Sequence, residues 1–102
     1  MSANTNATVL ARLRRSIQEA EDLLRRLEQR KEELKRKQEN LSRSFSDQLQ
    51  HAAQDQQQVR LLTQARNRTV QQFLDELSIM NNDIRQVEYS IRTFKEEADR
   101  IV

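Results

Sequence analysis

Three side chains near the middle of this 102-residue chain have the types and spacing to hold a metal ion. Asp47, His51 and Asp55 recur at i, i+4 and i+8, so a helix would set them on one face with an imidazole between two carboxylates. An exposed, oxygen-rich set without thiolates binds divalent ions weakly, and the chain has no cysteine. The preferred reading is a solvated histidine flanked by acids, with no metal and no cofactor. Catalysis finds no support either. There is no HExxH and no glycine-rich phosphate loop, and the one histidine has no pocket-forming fold around it. No enzyme is expected and no catalytic residue is assigned.

The basic clusters are the next chemistry-bearing feature: Arg12, Arg14 and Arg15, then Arg25 and Arg26, then Arg30, Lys31, Lys35, Arg36 and Lys37. Alone they would suit phosphate contacts. Glu19, Glu21, Asp22, Glu28, Glu32, Glu33 and Glu39 interleave with them at helical spacing. That alternation reads as a solvated face laced with ion pairs, and the net charge is only +2. Nucleic acid and membrane surfaces, which call for concentrated positive charge, are therefore not expected partners. No apolar run approaches a bilayer span and the first residues are polar, so a cytoplasmic protein is expected.

These side chains must be positioned by helices. The chain contains no glycine and no proline, the two residues that interrupt helices most readily. Ala, Glu, Lys, Leu and Arg (8 + 10 + 4 + 12 + 14) supply 48 of its 102 residues, the share found in coiled coils. Three Phe and one Tyr are too few for a broad globular core, so burial must come from a narrow stripe.

That stripe is a heptad seam. In the first half it runs Leu10, Leu13, Ile17, Ala20, Leu24, Leu27, Lys31, Leu34, Gln38, Leu41, Phe45. Extending the register sets Gln48, Ala52 and Asp55 on the seam, in a stretch with six Gln between Asp47 and Gln58. The seam resumes through Val59, Leu62, Arg66, Val70 and Phe73 with one stutter. It then continues regularly through Leu77, Met80, Ile84, Val87, Ile91, Phe94, Ala98 and Ile101. Asn81, Asn82 and Asp83 look turn-like, yet the seam crosses them unbroken. Polar Lys31 and Gln38 on the seam would fix register at some cost in stability. Outside it, Glu21–Arg25, Asp22–Arg26, Glu32–Arg36 and Glu33–Lys37 are spaced to pair.

The expected organisation is a frayed polar segment 1–7 and one coiled-coil domain over 8–102. Within that domain lie a helix over 8–50, a Gln-rich turn or polar helix section over 51–58, and a second helix over 59–102. Thr5, Asn6 or Thr8 would cap the first helix, and Ser44 or Ser46 a later one.

The fold class is all-α, an extended antiparallel coiled coil. Pairing the halves antiparallel sets Leu10 against Ile101, Ile17 against Phe94, Leu24 against Val87, Leu27 against Ile84 and Leu34 against Leu77. Lys37 and Arg30 then face Glu76 and Asp83, whereas a parallel in-register dimer sets Arg30 beside Lys35 and Asp83 beside Glu88. Two architectures share the register: a helical hairpin turning near 52–58, and an antiparallel dimer of unbroken helices. Either could assemble into a larger helical bundle. The lack of Gly opposes a tight turn, and cheap loop closure favours one.

Leu23, Leu61, Leu74 and Ile79 fall off the seam and would stay wet in a two-stranded coil. Further helices, from the same or other chains, are the expected cover. The functional expectation is thus a non-catalytic scaffold or interaction protein. Its contact residues are Leu10, Leu13, Ile17, Leu24, Leu27, Leu34, Leu41, Val70, Phe73, Leu74, Leu77, Ile79, Met80, Ile84, Val87, Ile91 and Phe94, with Arg30, Lys37, Glu76 and Asp83 selecting partners by charge. The alternative is a small helical chaperone or secretion-apparatus accessory protein that masks a client helix.

Overall fold

The computed structural model describes residues 2–101. Two helices account for nearly all of them: α1, Ser2–His51, and α2, Gln56–Ile101. The fold is an all-α helical hairpin, which decides against the unbroken rod. α1 begins at Ser2, ahead of the caps expected at Thr5, Asn6 or Thr8 and inside the segment expected to fray. α2 passes through Asn81, Asn82 and Asp83 without interruption.

Residues 52–55 reverse the chain without glycine, because among the described residues none has a positive φ. The Ala52 N–H donates to the Gln48 carbonyl at 3.0 Å and ends α1. The Asp55 N–H then donates to the Ala52 carbonyl at 2.8 Å, and the Val59 N–H to the Asp55 carbonyl at 3.0 Å. The Asp55 side chain completes the junction. Its Oδ1 accepts from the Gln57 N–H at 3.1 Å and the Gln58 N–H at 3.2 Å, so Asp55 is the N-cap of α2. Ser44 and Ser46 cap nothing, since α1 continues past both to His51. The Ala52 methyl, 8% exposed, closes the apolar end of the seam.

The chain falls into two compact units, each built from a piece of both helices. The unit Arg30–Met80 contains the turn. Its α1 stripe is half-buried at Lys31, Leu34, Gln38, Leu41, Phe45 and Leu49 and ends on buried Ala52. Gln48, expected on the seam, is exposed and donates to the Ser44 hydroxyl at 3.0 Å, while apolar Leu49 turns inward. On α2, Arg66 is likewise exposed instead of facing the seam, and half-buried Ala65 and Thr69 take its place. A guanidinium without an anion partner is costly to bury, whereas the Thr69 hydroxyl satisfies itself on the Ala65 carbonyl at 2.9 Å. Leu41 to Ala52 (52 − 41 = 11) and Leu62 to Phe73 (73 − 62 = 11) both span eleven residues. An eleven-residue period unwinds the left-handed supercoil locally, and both helices of this unit use it near the turn.

The second unit comprises Met1–Gln29 and Asn81–Val102. Ile84 and Ile91 are buried here, each 9% exposed. Val87, Phe94, Ala98 and Ile101 beside them, and Leu10, Leu13, Ile17, Ala20, Leu24 and Leu27 of α1, are half-buried. Leu10 and Ile17 share a groove with Lys95 and Ala98, and Leu24 shares one with Glu88 and Ile91. Position numbers rise on one helix as they fall on the other, so the pairing is antiparallel. Lys95 and Glu88 lie one residue from the expected partners Phe94 and Val87.

Ion pairing follows a different spacing from the expected one. Among the described residues the pairs are Arg25–Asp22 and Lys35–Glu32, the latter at 3.7 Å, both i,i+3 rather than i,i+4. The same Asp22 oxygen, Oδ1, also accepts from the Gln18 amide at 3.2 Å. All these groups are well exposed, so each pair contributes about 0.5 kcal/mol or less.

Candidate interaction surface

The Asp47, His51, Asp55 constellation is occupied by local structure. Asp55 spends an oxygen on the cap of α2. The His51 ring nitrogen Nδ1 lies 2.7 Å from the Asp47 backbone carbonyl, not from its carboxylate. Among the described residues no group of three or more His, Cys, Asp or Glu is arranged to hold a metal. No helix formed by those residues is long and apolar enough to cross a membrane.

What the surface does offer is uncovered apolar area. The chain exposes 8232 Å2. Among the described residues the buried apolar side chains are Ala52, Ile84 and Ile91, and the other apolar residues of the seam are half-buried.

The proposed contact residues divide into two groups. Leu10, Leu13, Ile17, Leu24, Leu27, Leu34, Leu41, Val70, Phe73, Leu77, Met80, Ile84, Val87, Ile91 and Phe94 are all buried or half-buried, and the hairpin itself covers them in part. Leu74 and Ile79 are exposed, 48% and 64%. Leu61 joins them at 57% and Leu23 at 41%, as their off-seam positions require. Val9 and Tyr89 are exposed too and were not singled out from sequence. Tyr89 sits two residues past Val87 on the outer face of α2, so its place on the heptad was the available signal.

Arg30, Lys37, Glu76 and Asp83 are all exposed. Lys37 and Glu76 line one groove with Leu34, Leu41 and Phe73, close across the helices yet not ion-paired. Their charges remain open to groups outside the chain.

A second open groove lies beside the turn. Asn40, Arg43, Ser44, Asp47, Gln48, His51 and Ala52 of α1 form one wall, Gln58, Leu61 and Leu62 of α2 the other. Between Ser44 and Val59 only two of sixteen residues carry a full charge, Asp47 and Asp55. The groove itself is lined by Arg43, Asp47 and His51 as well as by the apolar Ala52, Leu61 and Leu62.

No family model, no curated protein and no solved structure matches this chain.

Proposed function

We propose that this chain is a non-catalytic helical-hairpin module that assembles with itself or with partner helices in a multiprotein complex. The observation that carries it is the set Leu61, Leu74 and Ile79, three large apolar side chains between 48% and 64% exposed on one stretch of α2. Water is the wrong surroundings for such a set, and burial against a partner stabilises by about 25 cal/mol per Å2 of apolar area covered. Exposed Arg30, Lys37, Glu76 and Asp83 add orientation and discrimination more than affinity.

The test is site-specific photo-cross-linking in the native host, with a photoreactive residue at Leu23, Leu61, Leu74 or Ile79 in turn. Discrete protein adducts are expected from at least one of the α2 positions, lost when the neighbouring exposed apolar residue becomes glutamate. Silence from all four positions overturns the reading. A single client adduct, with the pure chain monomeric until that client is added, would favour a helix-masking chaperone over a scaffold.

A further inference from the structure

We infer that the flank of α2 bearing Leu61 and Ile79 is the contact between two copies of this chain, set antiparallel about a two-fold axis at residue 70. The inference rests on the interaction-module reading and names its partner. Leu61 and Ile79 stand 79 − 61 = 18 residues apart, which is five helical turns, so they share one azimuth about 27 Å apart. Between them the same strip carries Ala65, Arg68, Gln72 and Asp75, at steps of 4, 3, 4, 3 and 4. This is a second heptad-spaced stripe, which shares the small Ala65 with the seam against α1 and otherwise runs beside it.

The strip reads as its own mate. About residue 70 an antiparallel copy sets Leu61 against Ile79 of the partner, Ala65 against Asp75 of the partner, and Arg68 against Gln72 of the partner, each twice. Small Ala65 leaves room, and Arg68 can reach along to Asp75 of the partner one turn on. A parallel copy would stack Arg68 on Arg68 and Asp75 on Asp75 and is disfavoured. Leu61, Arg68, Gln72, Asp75 and Ile79 are exposed, while Ala65 is half-buried against α1 and Gln72 borders a groove with Leu34 and Leu41; Asp75 accepts the Gln71 amide at 2.9 Å.

The neighbourhood of Leu61 fits the same arrangement. Leu61 borders the groove beside the turn, with Leu62, Ser44 and Ala52, so Ile79 of the partner set against Leu61 would reach its rim. The two-fold places one Ile79 at each copy's turn-side groove.

The absence of native cysteine makes the register directly measurable. The full chain is prepared as Leu61→Cys and as Ile79→Cys, and mild oxidation is applied to each alone and to their mixture. Covalent dimers are expected from the mixture and not from either variant alone, because like positions lie about 27 Å apart across the axis. In parallel, sedimentation equilibrium should give a dimer for the unmodified chain. Ile79→Glu should weaken it about tenfold or more with helicity unchanged by circular dichroism, while Leu74→Glu, off the strip, leaves it intact. A dimer that Leu74→Glu dissociates and Ile79→Glu does not, or that cross-links at like positions, overturns this interface yet leaves the interaction-module reading standing. A monomer at the highest soluble concentration also overturns the interface, and the photo-cross-linking experiment then decides the broader reading separately.

Discussion

The two units place their apolar residues differently. The unit Met1–Gln29 with Asn81–Val102 turns β-branched Ile84 and Ile91 fully inward and keeps an unbroken apolar seam on α1 from Leu10 to Leu27. The unit Arg30–Met80 admits Lys31 and Gln38 to its seam and shows Leu61, Leu74 and Ile79 to water. Both units also show large apolar side chains to water, Val9, Leu23 and Tyr89 in the first as well as Leu61, Leu74 and Ile79 in the second, so the difference lies in how well each seam is packed and how polar it is. Lys31 and Gln38 on the seam cost the second unit packing that Ile84 and Ile91 give the first.

Mutation can break or sharpen that contrast. The largest effect is expected at Ile91→Ala, which removes a buried side chain from the better-packed unit. A loss of about 2–5 kcal/mol in urea unfolding should follow, and a loss under about 1 kcal/mol would mean that this unit is no better packed than the other. Next is Asp55→Ala. Two amide N–H groups lose their acceptor, and stability should fall by about 1 kcal/mol, with faster hydrogen exchange at Gln57 and Gln58. A change of the opposite sign is expected at Gln38→Leu, which replaces a half-buried polar seam residue by an apolar one. Thermal unfolding should shift upward by about 1 kcal/mol of added stability; no gain would show that the Gln38 amide, 3.5 Å from the Ser42 hydroxyl, is better satisfied than it looks. The smallest effect is expected at Leu74→Gln, within about 0.5 kcal/mol of wild type in the isolated chain. A large loss there would mean that the exposed leucine supports the hairpin after all.

The helices, their antiparallel pairing and the wet positions of Leu23, Leu61, Leu74 and Ile79 were legible in the sequence because each follows from a 3-4 spacing that the chain keeps for long runs. The local detail was less so. Strict continuation of the heptad assigned Gln48 and Arg66 to the seam, whereas the helices shift phase there to bring in Leu49, Ala65 and Thr69. Periodicity alone cannot say which residue of a stutter turns inward; the cost of burying a guanidinium can, and it points to Ala65 and Thr69. The cap of α2 was hidden for a related reason. Ser44, Ser46 and Asp55 are all good caps, and the choice depends on where the seam runs out of apolar residues, which happens after Ala52. The ion pairs show the limit of spacing rules on an exposed face, where Asp22 and Glu32 reach Arg25 and Lys35 one residue short of the expected partners.

The bend has one further consequence. Ala52, Ala53 and Gln54 are all good helix formers, and none of them adopts a backbone reserved for glycine. Little in these residues would resist straightening, so the reversal is maintained by the packing that follows it rather than by its own stiffness. A hinge of this kind lets neighbouring molecules trade arms with few covalent or steric obstacles.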